Sequence, residues 1–171
     1  MPATYTLIAS NTLSSSAASV TFSAIPAIYT DLVLRWSARN TSSGENAQIR
    51  FNSDSATNYS RTNLYGDGSA ANSIRGTSES YFYFGFSIDG SSRTANTFAS
   101  AELYIPNYAA STNKPISGFS TLETNAAACD TPAAIAALWR NTAALTSIVI
   151  EPVTNTFASG SSFFLYGIKN S

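Results

Sequence analysis

The segment Tyr81–Ile88 sets Phe82, Phe84, Phe86 and Ile88 on alternate positions, and this period of two recurs along most of the chain. Successive side chains of a strand point to opposite faces of a sheet, so such a segment buries one face and offers the other to water or to a partner. Asp31–Arg39 repeats the pattern, with Leu32, Leu34, Trp36 and Ala38 opposite Arg35, Ser37 and Arg39. Ala47–Asn52 repeats it again, with Ala47, Ile49 and Phe51 opposite Gln48, Arg50 and Asn52. Further strands are expected at Thr4–Ser10, Ser19–Ile25, Tyr59–Tyr65, Phe98–Ile105, Ile116–Leu122, Leu145–Glu151 and Ser162–Lys169. The alternation places Trp36, Phe51, Phe82, Phe84 and Phe86 in the core.

Turn residues punctuate these runs. Asp67-Gly68 and Asp89-Gly90 tolerate the positive φ of tight turns, and Pro26, Pro106 and Pro115 stand at strand margins, where a missing N–H costs least. Many short strands with turns between them argue for a sandwich or a barrel. The stretch Asp130–Trp139 fits a short helix and a strand about equally, having a capping Asp, an early Pro and a run of alanines. The strand-like TAALTSIVIEPV that follows tips the reading to a strand from Ala134 to Arg140, turning at Asn141. With no internal repeat and no linker, residues 1–171 are expected to form a single all-β domain.

Composition narrows the chemistry. The 171 residues include no histidine, one cysteine and one methionine, and only 11% are charged, against about a quarter in ordinary domains. Histidine-dependent nucleophiles and Cys/His zinc sites are therefore excluded, and no cofactor or metal is expected. The GDGSAANS stretch lacks the Gly-Lys-Ser/Thr ending of a phosphate loop. A glycosidase needs only two carboxylates. Its candidates, Glu79, Glu102, Glu123 and Glu151, fall in or beside strands, on the polar side where the alternation is readable, as solvated charges do. Asn52, Asp54 and Asn58 loosely resemble a calcium loop without its distal glutamate, so an Asx turn is the expected reading. Cys129 is expected to be an ordinary, at least partly buried small residue. The net charge of -1 gives no basic stripe for nucleic acid. No apolar run reaches the roughly 20 residues of a membrane span, and no leader is visible, so cytoplasmic synthesis is expected.

The outward aromatics are the candidate contact residues. If the phenylalanines of Tyr81–Ile88 face the core, Tyr81 and Tyr83 point outwards; Tyr104, next to Pro106 and Tyr108, also falls on the polar side of its strand, and Tyr108 joins these three as a candidate. Tyrosine suits surfaces that are apolar on one side and wet on the other, as protein interfaces and sugar platforms are.

Several segments resemble a recurring β-sandwich in structural proteins of tailed bacteriophages, especially phages of cyanobacteria and other aquatic bacteria. They are SVTFSAIPAIYTDLVLRWSAR with the following FNSDSATNYS loop, AELYIPNYA, ALWRNTAALTSIVI and the closing GSSFFLYGIKN. The resemblance implies an antiparallel jelly roll, with the terminal strands as plausible neighbours. It implies a virion protein made in the host cytoplasm, which decorates and cements a capsid by binding major capsid subunits. Three-fold axes of a capsid lattice make a homotrimer the expected assembly. The alternative is a module of a tail fibre or other appendage that binds host polysaccharide. The resemblance carries no set of functional residues onto this chain.

Overall fold

The structure, a computed structural model, describes residues 4–126 and 130–169. Its strands are β1 (Tyr5–Thr12), β2 (Val20–Phe22), β3 (Asp31–Ala38), β4 (Ala47–Phe51), β5 (Tyr59–Gly66) and β6 (Ala71–Glu79), followed by β7 (Phe82–Phe84), β8 (Ala99–Ile105), β9 (Lys114–Leu122), β10 (Asp130–Trp139), β11 (Ile148–Pro152) and β12 (Ser162–Ile168). They form an eight-stranded sheet, ordered β1-β12-β3-β8-β9-β10-β5-β6, and a four-stranded sheet, ordered β2-β11-β4-β7. Every pairing is antiparallel. The molecule is thus a β-sandwich, one of the two forms that the alternation allows, of the jelly-roll-like kind that the resemblance implies, and its first and last strands are neighbours.

The core lies between the two sheets. Leu34, Leu103 and Leu165 meet at one level of β3, β8 and β12, all fully buried. Aromatic side chains bridge the layers. Trp36 of the large sheet meets Phe84 of the small one edge to face, with centroids 5.6 Å apart. Phe51 packs against Trp139, also at 5.6 Å, and Trp139 stacks on Tyr59. The polar atoms of these rings are satisfied inside the core. Trp36 Nε1 donates to the Ser87 carbonyl at 2.7 Å, and the Phe51 N–H donates to the Tyr59 hydroxyl at 3.0 Å.

Three features depart from the sequence reading. The Tyr81–Ile88 strand ends at Phe84, because Phe86 takes a left-handed φ of 55°. Its N–H turns to the Asn46 side chain, and its ring packs on Tyr65 instead of entering the core, so it is only partly buried. The other four predicted core aromatics, Trp36, Phe51, Phe82 and Phe84, are all buried. β6 has no counterpart in the pattern, since its one large apolar residue, Ile74, is 46% exposed at the sheet edge. Asp89-Gly90 does not take the positive φ expected of a tight turn: Asp89 is buried and bridges in parallel to Arg39. The ambiguous 130–139 stretch is a strand, beginning earlier than the alternation places it. Cys129 lies outside the described residues.

Removing the Phe84 ring empties a site enclosed by both sheets. Phe84→Ala should cost about 3–5 kcal/mol in equilibrium denaturation, and Phe86→Ala clearly less, because Phe86 is only partly packed. Equal losses at the two positions would contradict this placement.

Candidate functional site

The outer face of the eight-stranded sheet is where this chain leaves side chains unspent. Cross-strand registration draws one row across all eight strands: Ser10, Phe164, Arg35, Glu102, Phe119, Ala134, Leu64 and Ser73. Towards β5 the row is apolar. Phe119 is 70% exposed and Leu64 55%, and with Pro132 and Ala134 they line an open hollow of ≈ 490 Å³. Towards β3 the row is charged. Arg35 Nε meets Glu102 Oε2 at 2.5 Å, and its guanidinium lies 5.9 and 6.0 Å from the ring centroids of Tyr5 and Tyr166. A second hollow of ≈ 440 Å³ opens here, lined by Arg35, Ser37, Ser100, Glu102 and Phe164.

The structure does not gather the four candidate tyrosines. Tyr81 and Tyr83 belong to the small-sheet side, each partly buried beneath an arginine, with Arg50 5.5 Å from the Tyr81 ring and Arg61 4.5 Å from that of Tyr83. Burial raises the Tyr83 hydroxyl pKa. Tyr104 lies on the large-sheet side and donates to Asp31 Oδ2 at 2.7 Å, which, with some burial, pushes its pKa up to about 12. Tyr108 is a correction. It is fully buried, its hydroxyl donates to the Pro26 carbonyl, and it offers a partner nothing. The chain turns after Ile105, so Tyr108 lies beyond the strand whose alternation sets Tyr104 outward. Phe119 was legible in principle, being out of phase with the inward Ile116 and Leu122.

The four glutamates are dispersed. Glu79 pairs with Arg61 at the β6 edge, Glu102 with Arg35 on the large sheet, and Glu151 with Arg50 on the small sheet. Glu123 follows β9 and accepts from the Asn125 N–H. No group of three His, Cys, Asp or Glu among the described residues is arranged to hold a metal. The Asn52–Asp54–Asn58 loop is a polar clamp. Asn52 Oδ1 accepts from the N–H groups of Thr146 and Ser147. Asp54 accepts from Ala56 N, Asn58 Nδ2, Trp139 Nε1 and Asn141 Nδ2, at 2.8 to 3.4 Å. Desolvation pulls its pKa up, but these donors together outweigh it and leave the carboxyl below its ordinary value.

Among the described residues, Lys114 and Asp89 are fully buried side chains of charged type. Lys114 donates to the carbonyls of Ala110 and Thr112 and lies 5.9 Å from the Trp139 ring, and burial lowers its pKa. Asp89 accepts from the Glu123 N–H with one oxygen and leaves the other unpartnered, and burial raises its pKa. Both tie loops to strand ends.

No family model matches the sequence, and no curated protein matches it. Among solved structures, the chain is similar to the Caenorhabditis elegans galectin LEC-6 at 10% identity and a TM-score of 0.36, over 98% of this chain and 96% of that one. It is also similar to CG-16, a homodimeric agglutinin from chicken liver, at 7% identity and a TM-score of 0.34, over 85% and 98% of the two chains. Likeness at this level carries no inference about ligand or partner.

Asp54 provides a test of the polar clamp. Asp54→Ala leaves the indole N–H of buried Trp139 without an acceptor, which should cost about 1–3 kcal/mol at neutral pH. Because the folded carboxyl titrates below its ordinary value, the stability Asp54 contributes is complete above that ordinary value and is lost as pH falls through the folded pKa. Acid titrations of stability should therefore be shallower for the variant than for the parent.

Proposed function

We propose that this protein is a non-enzymatic structural protein of a bacteriophage virion, which reinforces the capsid by docking the outer face of its large sheet onto major capsid subunits. The observation that supports the reading is Phe119, 70% exposed in an apolar hollow with Leu64 and Ala134. A phenylalanine in that position adds little to the stability of its own domain, whereas covered by a partner it becomes buried apolar area. The phage resemblance supplies the partner and the homotrimeric assembly on a capsid three-fold axis. A net charge of -1 suits a contact made by short-range packing.

A second reading, a saccharide-binding module of a phage appendage, is favoured by the Arg35–Glu102 pair beside Phe164.

Particles prepared with and without the protein, heated in low and moderate salt, test the first reading. Removal should lower the rupture temperature by a similar margin in both buffers, because apolar packing is not screened as exposed charge pairs are. Phe119→Ser combined with Leu64→Ser should release the protein from particles, while the stability of the free domain changes by only about 0.5 kcal/mol per site. Stripped particles that rupture at the same temperature, but attach poorly to host cells, would replace the capsid role with the appendage role.

A further inference from the structure

The outer face of the large sheet has a second, chemically distinct half. On the rim side of the ion pair, registration sets a row of hydroxyls, Thr12, Ser162, Ser37 and Ser100, across β1, β12, β3 and β8. Ser37 and Ser100 are direct cross-strand neighbours, as are Arg35 and Glu102 two positions along the same strands. The hollow between these pairs is walled by Phe164. Its floor is therefore hydroxyl, and along one side a donor, Arg35, stands between an acceptor, Glu102, and the aromatic ring of Phe164.

From this arrangement we infer that the hollow is a binding site for a neutral saccharide. Arg35 uses Nε on Glu102 Oε2, which leaves its terminal N–H groups as donors and Glu102 Oε1 as an acceptor, side by side. The Tyr5 and Tyr166 rings beside the guanidinium limit its freedom, so less ordering entropy is spent when a ligand arrives. Two neighbouring hydroxyls of a pyranose match the pair: one donates to Glu102, and the other accepts from Arg35. The C–H face of the sugar then lies on Phe164, as apolar faces do on aromatic rings.

Other occupants fit less well. An anion meets Glu102, a cation meets Arg35, and a purely apolar group strips water from both without replacing their hydrogen bonds. A polyol with one apolar face satisfies every wall. A shallow hollow with one bidentate contact and one ring implies weak binding at a single site, with Kd on the order of 1 mM. Avidity from several linked copies would lower the apparent Kd. The inference deepens the saccharide reading and rests on it. It needs no capsid, so failure of the particle experiment leaves its outcome readable.

The test is amide chemical-shift mapping of the full chain with the methyl glycosides of glucose, galactose and mannose, and with glucuronate as the anionic control. At least one neutral glycoside should shift the amides of Arg35, Ser37, Ser100, Glu102 and Phe164 saturably. Glu102→Gln should weaken that binding about tenfold, because charge-assisted hydrogen bonds are roughly twice as strong as neutral ones. Its thermal stability should hold, since exposed ion pairs contribute little. Phe164→Leu keeps an apolar wall but loses the ring face, and should weaken binding too. Tyr81→Phe, on the opposite face, should leave it unchanged. The inference is overturned if no neutral glycoside shifts these amides, if binding survives Glu102→Gln unaltered, or if glucuronate binds more tightly than the neutral sugars.

Discussion

Eight strands lie over four, and the rest of the architecture follows from that mismatch. At about 4.8 Å per strand spacing, the large sheet spans roughly 34 Å and the small sheet roughly 14 Å. The small sheet can cover only part of its partner. Where it does, the inward side chains are apolar and fully buried, as Leu34, Leu103 and Ile150 are. Beyond its β7 edge the inward residues of β5 become polar. Arg61 reaches Glu79 and lies over Tyr83, and Asn63 stays buried with its Oδ1 unpartnered. β6 is the visible cost of the overhang, an edge strand held by its ladder to β5 and by little packing.

The same mismatch gives the outer face of the large sheet its character. No element of the described chain covers that face, so residues there are chosen by water or by partners. The result is not uniformly polar. β12 reads apolar on both sides, with Phe163 and Leu165 inward and Phe164 and Tyr166 outward. Tyr5 of the edge strand and Arg35 of β3 lean against the outward pair and leave it uncovered by any further layer of the described chain. The outward positions of β9, β10 and β5 likewise carry Phe119, Ala134 and Leu64 in one register.

Alternation made the core legible because burial between sheets imposes a strict period of two, and that signal survives in a single sequence. It identified Trp36, Phe51, Phe82 and Phe84 without tertiary information. It failed where the backbone leaves the period. Phe86 has the right residue type and spacing, yet a left-handed φ redirects it, and nothing in FYFGFSI announces that turn except a glycine. Tyr108 failed in the same way, after Pro106 breaks the strand. β6 was invisible for the opposite reason: an overhanging edge strand buries no face, so it writes no pattern. The outer-face site depended on strand order. Arg35 and Glu102 are 67 residues apart, and only the β3–β8 pairing makes them neighbours.

Strand order also couples the two halves of that face. Glu102 and Phe119 are registered directly opposite each other on β8 and β9, which sets their Cβ atoms about 5 Å apart. A protein surface that covers Phe119 closely enough to exclude water must therefore crowd the acceptor side of the ion pair. A saccharide seated against Glu102 lies in turn within reach of the exposed ring. One molecule cannot use both halves fully at the same moment unless its partner stops short of β8. Saccharide contact at Glu102 requires that the β3–β8 half of the same molecule remain in solvent. The geometry thus ties the two readings to each other through a single cross-strand pair, and it makes occupancy of one half a direct probe of the other.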